Sequence, residues 1–470
     1  MVEMGISDML LGGYRLHIFC TRRAAKIVYA LRMKMTDYIL WTSVAVIAVF
    51  VLVSLARRRY NRSVQQAYES GREKRATFED HLNTIFVSIP CYRDEEECAK
   101  TLFSLFDRAD CPWRVSAGVL HHINNNHIPS LFEASSDTRA ITDNILNRYE
   151  HLCRQSDATS FSSNIRIIVR PASEAQGPFV ARAEIEHSLF RKERFFMTVD
   201  SHTRFVKSWD TKVLDMYRRC FKISEKPILT TYPGSFDRNT SLPDFETPTF
   251  VAVDGQLDDT GFPRVRPIPF ELQPVRCFPS PFWIPCFSFA SSNLIKEVPM
   301  DPGYSFVFWP EMYVQSARYY THGWDFLHPQ EPICHHLDSN EYRPLFLEQL
   351  EDDKTKHVQR AKGTARALAL FRKDQCCVCV NRRDEHTPSH GLGHLFESYY
   401  PDAVDVHQDY GLGKARTLAD FVRHCGVALF EHITDNIRVG CCGTVQEEEL
   451  LAKYGRVDVY NLLLEKCAHE

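Results

Sequence analysis

The residues best suited to chemistry in this chain are Asp200 and His202, which close the stretch Phe195-Phe196-Met197-Thr198-Val199-Asp200-Ser201-His202. Its first five residues are apolar or β-branched and short enough for a buried strand, and the polar pair follows at once. In an open α/β sheet, ligands bind beyond the carboxyl ends of the strands, so an Asp and a His two positions apart there can face one bound ion. Carboxylate oxygen and imidazole nitrogen together suit Mn²⁺ or another borderline divalent cation. Such a cation grips the two phosphates of a nucleotide and offsets the charge that grows on a leaving diphosphate. The bland alternative is an Asp that caps a helix beside a surface His.

A second constellation competes. Cys376, Cys377 and Cys379, followed by His386, His390 and His394, offer thiolate and imidazole at short spacings, as zinc sites do, but the gap from Cys379 to His386 is much shorter than a zinc finger's. Disulfides with Cys425, Cys441 or Cys442 are the reading if this part of the chain is lumenal, and buried free thiols if it is cytosolic.

The elements that must position these groups follow from composition and pattern. The chain has 470 residues with 56 Lys+Arg against 60 Asp+Glu, a formal charge of −4 that excludes a polycationic nucleic-acid binder. At 44% hydrophobic and 25% charged it is globular, and 16 cysteines are too sparse for a disulfide scaffold. Residues 38–56, YILWTSVAVIAVFVLVSLA, form an uncharged run whose helical length approaches the hydrocarbon core of a bilayer. The expected organisation is a cytoplasmic segment over 1–37, a membrane anchor over 38–56, a polar stem over 57–81 and one catalytic unit over 82–470. Basic residues flank the span on both sides, from Arg22 to Lys34 and from Arg57 to Arg75, so charge does not set its orientation. Asn61-Arg62-Ser63 and Asn239-Thr240-Ser241 are acceptor patterns for glycosylation if the large domain is lumenal. Past the stem, Asn83–Pro90, Trp113–Leu120 and Ile165–Arg170 read as strands and Cys98–Phe106 as a helix with acids at its start. Strand, helix, strand is the opening of a doubly wound α/β sheet.

Several separated blocks then resemble one family. They are Ile85-Phe86-Val87-Ser88-Ile89-Pro90-Cys91-Tyr92-Arg93-Asp94 with Cys98; Gly177-Pro178 with Ala181-Arg182; Asp200-Ser201-His202-Thr203-Arg204-Phe205 with Trp209-Asp210; and Pro299-Met300-Asp301-Pro302. Glu311 with Ala317-Arg318, Thr321–Phe326 and Gly411–Leu418 complete the set. In their order and spacing they resemble the GlcNAc-type glycosyltransferases of protists, which attach α-linked N-acetylglucosamine to hydroxyl groups of polypeptides, the protein-hydroxyproline enzyme among them. The resemblance implies a GT-A type fold, a Rossmann-like mixed sheet flanked by helices. It also implies UDP-GlcNAc as donor, Mn²⁺ or another divalent cation, a polypeptide acceptor and retention of configuration at the sugar. With the anchor, it implies a single-pass type II protein of the Golgi membrane with a lumenal catalytic domain.

Roles carry over residue by residue. Asp200 and His202 match the family's metal motif, and His336, preferred to its neighbour His335, is the expected third ligand. Ser88, Tyr92, Arg93 and Asp94 match positions that hold the uridine and ribose, with Asp94 at a helix start as the competing reading. Arg182 is expected to face the diphosphate, against the alternative of a surface ion pair. Glu311 is the expected catalytic acid and Asp301 a second candidate, although an Asp beside prolines is also a common turn. The family pattern of Gly-Glu-Glu reads Pro310-Glu311-Met312 here, so one acid is lost and Pro310 alters the loop expected to present Glu311. Phe282–Ala290 is either the floor under the sugar or core, and His322-Gly323-Trp324 is either acceptor wall or core. Three alternatives stand beside the main reading: a transferase for another UDP-sugar or a glycan acceptor, an inactive sugar-binding membrane protein, and a zinc hydrolase built on the Cys-His tract.

Overall fold

The computed structural model describes residues 82–124, 138–238, 249–258, 262–269, 276–339, 342–350, 353–371 and 408–427, with two short strands at 437–438 and 444–445. The expected anchor, stem, glycosylation patterns and Cys376–His394 tract lie outside the described residues, as do Cys441 and Cys442. Among the described residues no helix is long and apolar enough to cross a membrane.

The fold is mixed α/β with a central sheet. Strand β1 (Ile85–Tyr92) is buried along nearly its whole length, as a strand covered on both faces must be. It leads into helix α1 (Glu95–Asp107), whose first turn carries Glu95, Glu96 and Glu97 at the positive end of the helix dipole. Next come β2 (Val115–Ile123), α2 (Thr138–Gln155), β3 (Ile165–Pro171), α3 (Pro178–Ser188) and β4 (Phe195–Val199). After β5 (Thr203–Phe205) and α4 (Trp209–Cys220) follow β6 (Pro227–Thr230), β7 (Gly234–Ser235), β8 (Thr249–Leu257), β9 (Pro263–Pro269), β10 (Phe278–Pro279) and β11 (Phe287–Ser291). The remainder is α5 (Asn293–Glu297), α6 (Pro310–Thr321), β12 (Asp325–His328), β13 (Cys334–His336), α7 (Lys354–Leu370), α8 (Leu418–Cys425), β14 (Ile437–Arg438) and β15 (Thr444–Val445).

Eight strands form the central sheet in the order β10-β12-β6-β11-β4-β1-β2-β3. The expected parallel opening is present, since β1 runs parallel to β2 and β4, and β2 to β3. β11 runs antiparallel between β4 and β6, which makes the sheet mixed. Two expected boundaries move. β1 continues through Pro90, which is tolerated because β4 pairs it only as far as Ser88, so no neighbour on that side needs the missing N–H. β2 starts at Val115, not Trp113, because Pro112 opens a 3₁₀ turn that leaves Trp113 half exposed. The aromatic run settles as core: Phe282, Trp283, Ile284, Phe287 and Phe289 are buried, and so is Trp324.

Beside the main sheet, β13 lies between β5 and β7. It pairs antiparallel with β5, setting His336 opposite Thr203, and parallel with β7. The Gly411–Leu418 block docks on the end of α6, where the Gly413 N–H donates to Thr321 Oγ1 at 2.9 Å and that of Ala415 to the Thr321 carbonyl at 3.0 Å. A Cβ at Gly413 would stand 2.4 Å from the Thr321 backbone, which explains the glycine. Cys425, an expected disulfide partner, is buried, and its thiol donates to the Val427 carbonyl.

Asp210, at the start of α4, is fully buried. It accepts the N–H groups of Asp110 and Cys111 at 2.7 and 2.9 Å and the Arg114 guanidinium at 2.8 Å. Asp210→Ala strands a buried cation and two backbone donors, so the denaturant midpoint should drop by the equivalent of about 3–5 kcal/mol. On α3, Glu186 accepts the Met300 N–H at 2.9 Å, while its Oε1 is sealed from solvent without a partner. Burial pushes its carboxyl up to about 8 from an ordinary 4.5. The folded state then holds this proton more tightly than the unfolded chain. Stability should fall between those two pH values by about 1.4 kcal/mol per unit, and denaturant titrations of Glu186→Gln should lack that slope.

Candidate active site

Asp200 stands immediately beyond the last residue of β4, where the sheet ends and backbone direction changes. Its Oδ2 accepts from His336 Nε2 at 3.1 Å, and its Oδ1 accepts from Arg182 Nη2 at 2.8 Å. His202, in the turn before β5, has its Nε2 3.1 Å from His336 Nε2. Asp200 and His202 therefore converge on one point through His336. That convergence depends on β13, which carries His336 from 134 residues further along the chain to the first residue of β5. His335, on the opposite face of β13, lies against Gly234. Of the adjacent histidines it is thus His336 that joins Asp200 and His202.

The partners fix the protons. Asp94 Oδ2 lies 3.2 Å from His202 Nδ1 and accepts its proton, leaving Nε2 with its lone pair toward His336 and the Arg343 guanidinium, 3.1 Å away. His336 Nδ1 donates to Asp338 at 2.6 Å, so both ring nitrogens of His336 face carboxylates. Burial works against a charge on that ring, but the hydrogen bonds to Asp200 and Asp338 outweigh it and raise His336 to about 9. Burial lowers His202, with Asp94 only partly compensating and His336 adding to the effect. For Asp200, burial alone would raise the carboxyl. The His336 hydrogen bond and the Arg182 charge overcome that and hold it well below the usual range. Asp200 keeps 20% of its side chain exposed against 5% for His202 and 8% for His336, so it is the open edge of the cluster.

Arg182 sits on the second turn of α3, which Gly177 starts with a φ of +104°. Its guanidinium is buried and donates through Nη1 to Glu311 at 2.6 Å and through Nη2 to Asp200. The competing reading of a surface ion pair does not hold, because the pair is buried and joins two candidate site residues. Pro310 does not distort a presenting loop; it occupies the first turn of α6, where its missing N–H is not needed, and Glu311 follows in the same turn. Burial pushes Glu311 up despite Arg182. Met312, where the second acid was expected, packs in the core.

Asp301, Tyr92 and Arg93 bond groups outside this cluster, whereas Asp94 bonds His202 within it. Asp301 is sealed and accepts from the Gly303 N–H at 2.8 Å and from Arg366 Nε at 2.7 Å, a turn with an ion pair. Ser88 is buried within β1 between β2 and β4. The Tyr92 hydroxyl donates to Glu348 at 2.7 Å and Arg93 pairs with the same carboxylate. Asp94 is no ordinary helix cap: it makes no capping bond to α1 and instead receives His202 and, at 2.9 Å, the Ser201 hydroxyl. Asp338, Arg343 and Cys286 were missed from sequence. Asp338 was discernible as the acid two positions after His336, whereas Cys286 reaches Asp200 only through the antiparallel pairing of β11 with β4. A concavity of about 450 Å³ lies elsewhere, lined by residues that include His122, Arg170, Gln176 and Lys356, and none of the cluster borders it.

A family model described as Glycosyltransferase (GlcNAc) matches residues 84–431. The chain belongs to this glycosyltransferase family. No curated protein matches it. Among solved structures it is similar to GalNAc-T7 with UDP, GalNAc and Mn²⁺, at 12% identity and a TM-score of 0.40, over 74% of this chain and 55% of that one. It is also similar to S. aureus TarS 1-349 in complex with UDP-GlcNAc, at 12% identity and a TM-score of 0.31, over 68% and 83%. The chain thus spans about half the length of GalNAc-T7, and at these scores neither likeness bears on the site.

Arg182 is the tie between Asp200 and Glu311. Arg182→Met, which keeps the stem and removes the charge, takes from Glu311 its guanidinium partner and leaves Asp200 with His336 alone. Its unfolding free energy should drop by about 3–5 kcal/mol in denaturant titration, and Glu311→Gln in the same background should recover part of that loss.

Proposed function

We propose that this family member transfers N-acetylglucosamine from UDP-GlcNAc to Ser/Thr or hydroxyproline hydroxyls of polypeptides, with a divalent cation at Asp200, His202 and His336 and with retention of configuration. One observation carries the reading: in a chain of this family, His336 Nε2 lies 3.1 Å from both an Asp200 carboxylate oxygen and His202 Nε2 at the C-terminal edge of β4. The donor set fits such an ion. The proton of His336 Nε2 lies among exactly the atoms that a cation would take in its place, and O and N donors suit Mn²⁺ or another borderline ion. When bound, the cation would screen the diphosphate and stabilise it as leaving group.

The protein's own groups divide the remaining work. Asp94 holds the His202 ring through Nδ1 and keeps its Nε2 lone pair toward the centre, and Asp338 orients His336 in the same way. Arg182 fixes the rotamer of Asp200 and carries a positive charge beside the phosphate position. In the transfer, the bond from the sugar's anomeric carbon to the phosphate oxygen breaks, a bond to the acceptor oxygen forms, the acceptor proton is lost and UDP departs. Glu311, one guanidinium from Asp200, is the acid this reading assigns to catalysis. Asp301 receives a structural role, because Arg366 and Gly303 occupy it. Tyr92, Arg93 and Ser88 remain the proposed nucleoside contacts, with Glu348 as the group that Tyr92 and Arg93 must exchange for the donor. The GT-A assignment, the anchor over 38–56 and the lumenal Golgi placement belong to the same proposal, supported by the family's fold and by the uncharged run ahead of the enzyme.

The test is incubation of the full chain with UDP-GlcNAc, Mn²⁺ and Thr-rich or hydroxyproline peptides, followed by mass analysis. A peptide gain of one N-acetylhexosamine is expected, falling by about a hundredfold or more in Asp200→Ala, in His202→Ala and after chelation. Turnover confined to another UDP-sugar, or full activity in Asp200→Ala, overturns the reading.

A further inference from the structure

One further donor atom faces the cluster. Phe287, the first residue of β11, pairs with Val199, the last of β4. Continuing that antiparallel register by one residue sets Cys286 opposite Asp200. The Cys286 sulfur, a carboxylate oxygen of Asp200 and a ring nitrogen of His336 all lie within 4.8 Å of one another. Seven of the nine described cysteines, such as Cys91 and Cys334, are buried in the core; Cys286 and Cys111 keep partial exposure. Cys286 packs against the core, and it differs from the other described thiols in having a carboxylate oxygen and an imidazole nitrogen beside its sulfur.

We propose that Cys286, with Asp200 and His336, is a protein ligand of the cation, and that its sulfur makes the site prefer thiophilic ions such as Zn²⁺, Co²⁺ or Cd²⁺ over Mn²⁺. The proposal rests on the cation-assisted reading above, since both use Asp200 and His336. Mn²⁺ stands at the weak end of the divalent series and gains little from sulfur, whereas zinc and its relatives bind Cys thiolate and His nitrogen strongly. On binding, the Cys286 S–H bond breaks, the sulfur bonds the ion through its lone pair, and the proton leaves to solvent.

The experiment titrates the full chain, reduced and stripped by chelation, with Co²⁺ and compares it with Cys286→Ser. A sulfur-to-cobalt charge-transfer band in the near ultraviolet is expected in the wild type and absent from the variant. Zn²⁺ affinity should fall by about tenfold or more in Cys286→Ser, and Mn²⁺ affinity by less than about threefold. A band of equal intensity in both proteins, or equal Zn²⁺ affinity, overturns the sulfur ligand. If Cys286→Ser fails to fold, alkylation of the wild type by iodoacetamide decides: Zn²⁺ should protect Cys286, read by peptide mass spectrometry, and absence of protection overturns the proposal. Asp200→Asn separates the two claims. Loss of Co²⁺ binding there, with Cys286→Ser behaving as wild type, sinks only the sulfur ligand; Co²⁺ binding unchanged in Asp200→Asn sinks the cation-assisted reading itself.

Discussion

The site depends on one buried guanidinium. Arg182 donates to Asp200 with one nitrogen and to Glu311 with another, so two carboxylates that burial would drive to protonate, and that repel each other, share its charge. An arginine suits this place because its fork is planar and always charged, and a lysine could not serve both acids in fixed directions. The pair also joins α3 to α6, two elements that the chain order separates by more than a hundred residues. The Asp200 side chain, which also meets His336, is held at the edge of β4 by this link.

A second constraint works through imidazole. Carboxylates flanking both nitrogens raise His336, while burial, with His336 and Arg343 nearby, lowers His202 despite its one carboxylate neighbour. Two rings of one residue type, 3.1 Å apart, are thereby pushed in opposite directions. Environment alone makes the difference.

Much of this was legible in the sequence. The buried β1 and β4 show as short apolar runs, the acids of α1 mark its start, and Asp200 and His202 stand out because polarity switches abruptly where an apolar run ends. His336 was readable through family resemblance. Less visible was anything that depends on pairing between distant strands. Cys286 sits in an aromatic tract that reads as core, and its neighbours are core; only the direction of β11 relative to β4 brings it to Asp200. Asp94 looked like a helix cap or a nucleotide contact, and its bond to His202 needs the turn after β4 in place. Pro310 looked disruptive because its effect depends on whether the next residue opens a helix, a matter that packing decides. Asp301 shows the opposite error: an acid between prolines resembled a reactive group, and Arg366 from α7 holds it in a turn.

The three-residue strand β13 has a consequence for how the protein is made. Asp200 and His202 emerge from the ribosome long before His336, and β6 to β12 lie between them in the chain. Until β13 inserts between β5 and β7, Arg182 and Asp94 can already hold their partners, but the ring that closes the centre has not been synthesised. A nascent chain can therefore complete its parallel half-sheet first, and the contact of His336 with Asp200 and His202 forms only in a late, long-range closure.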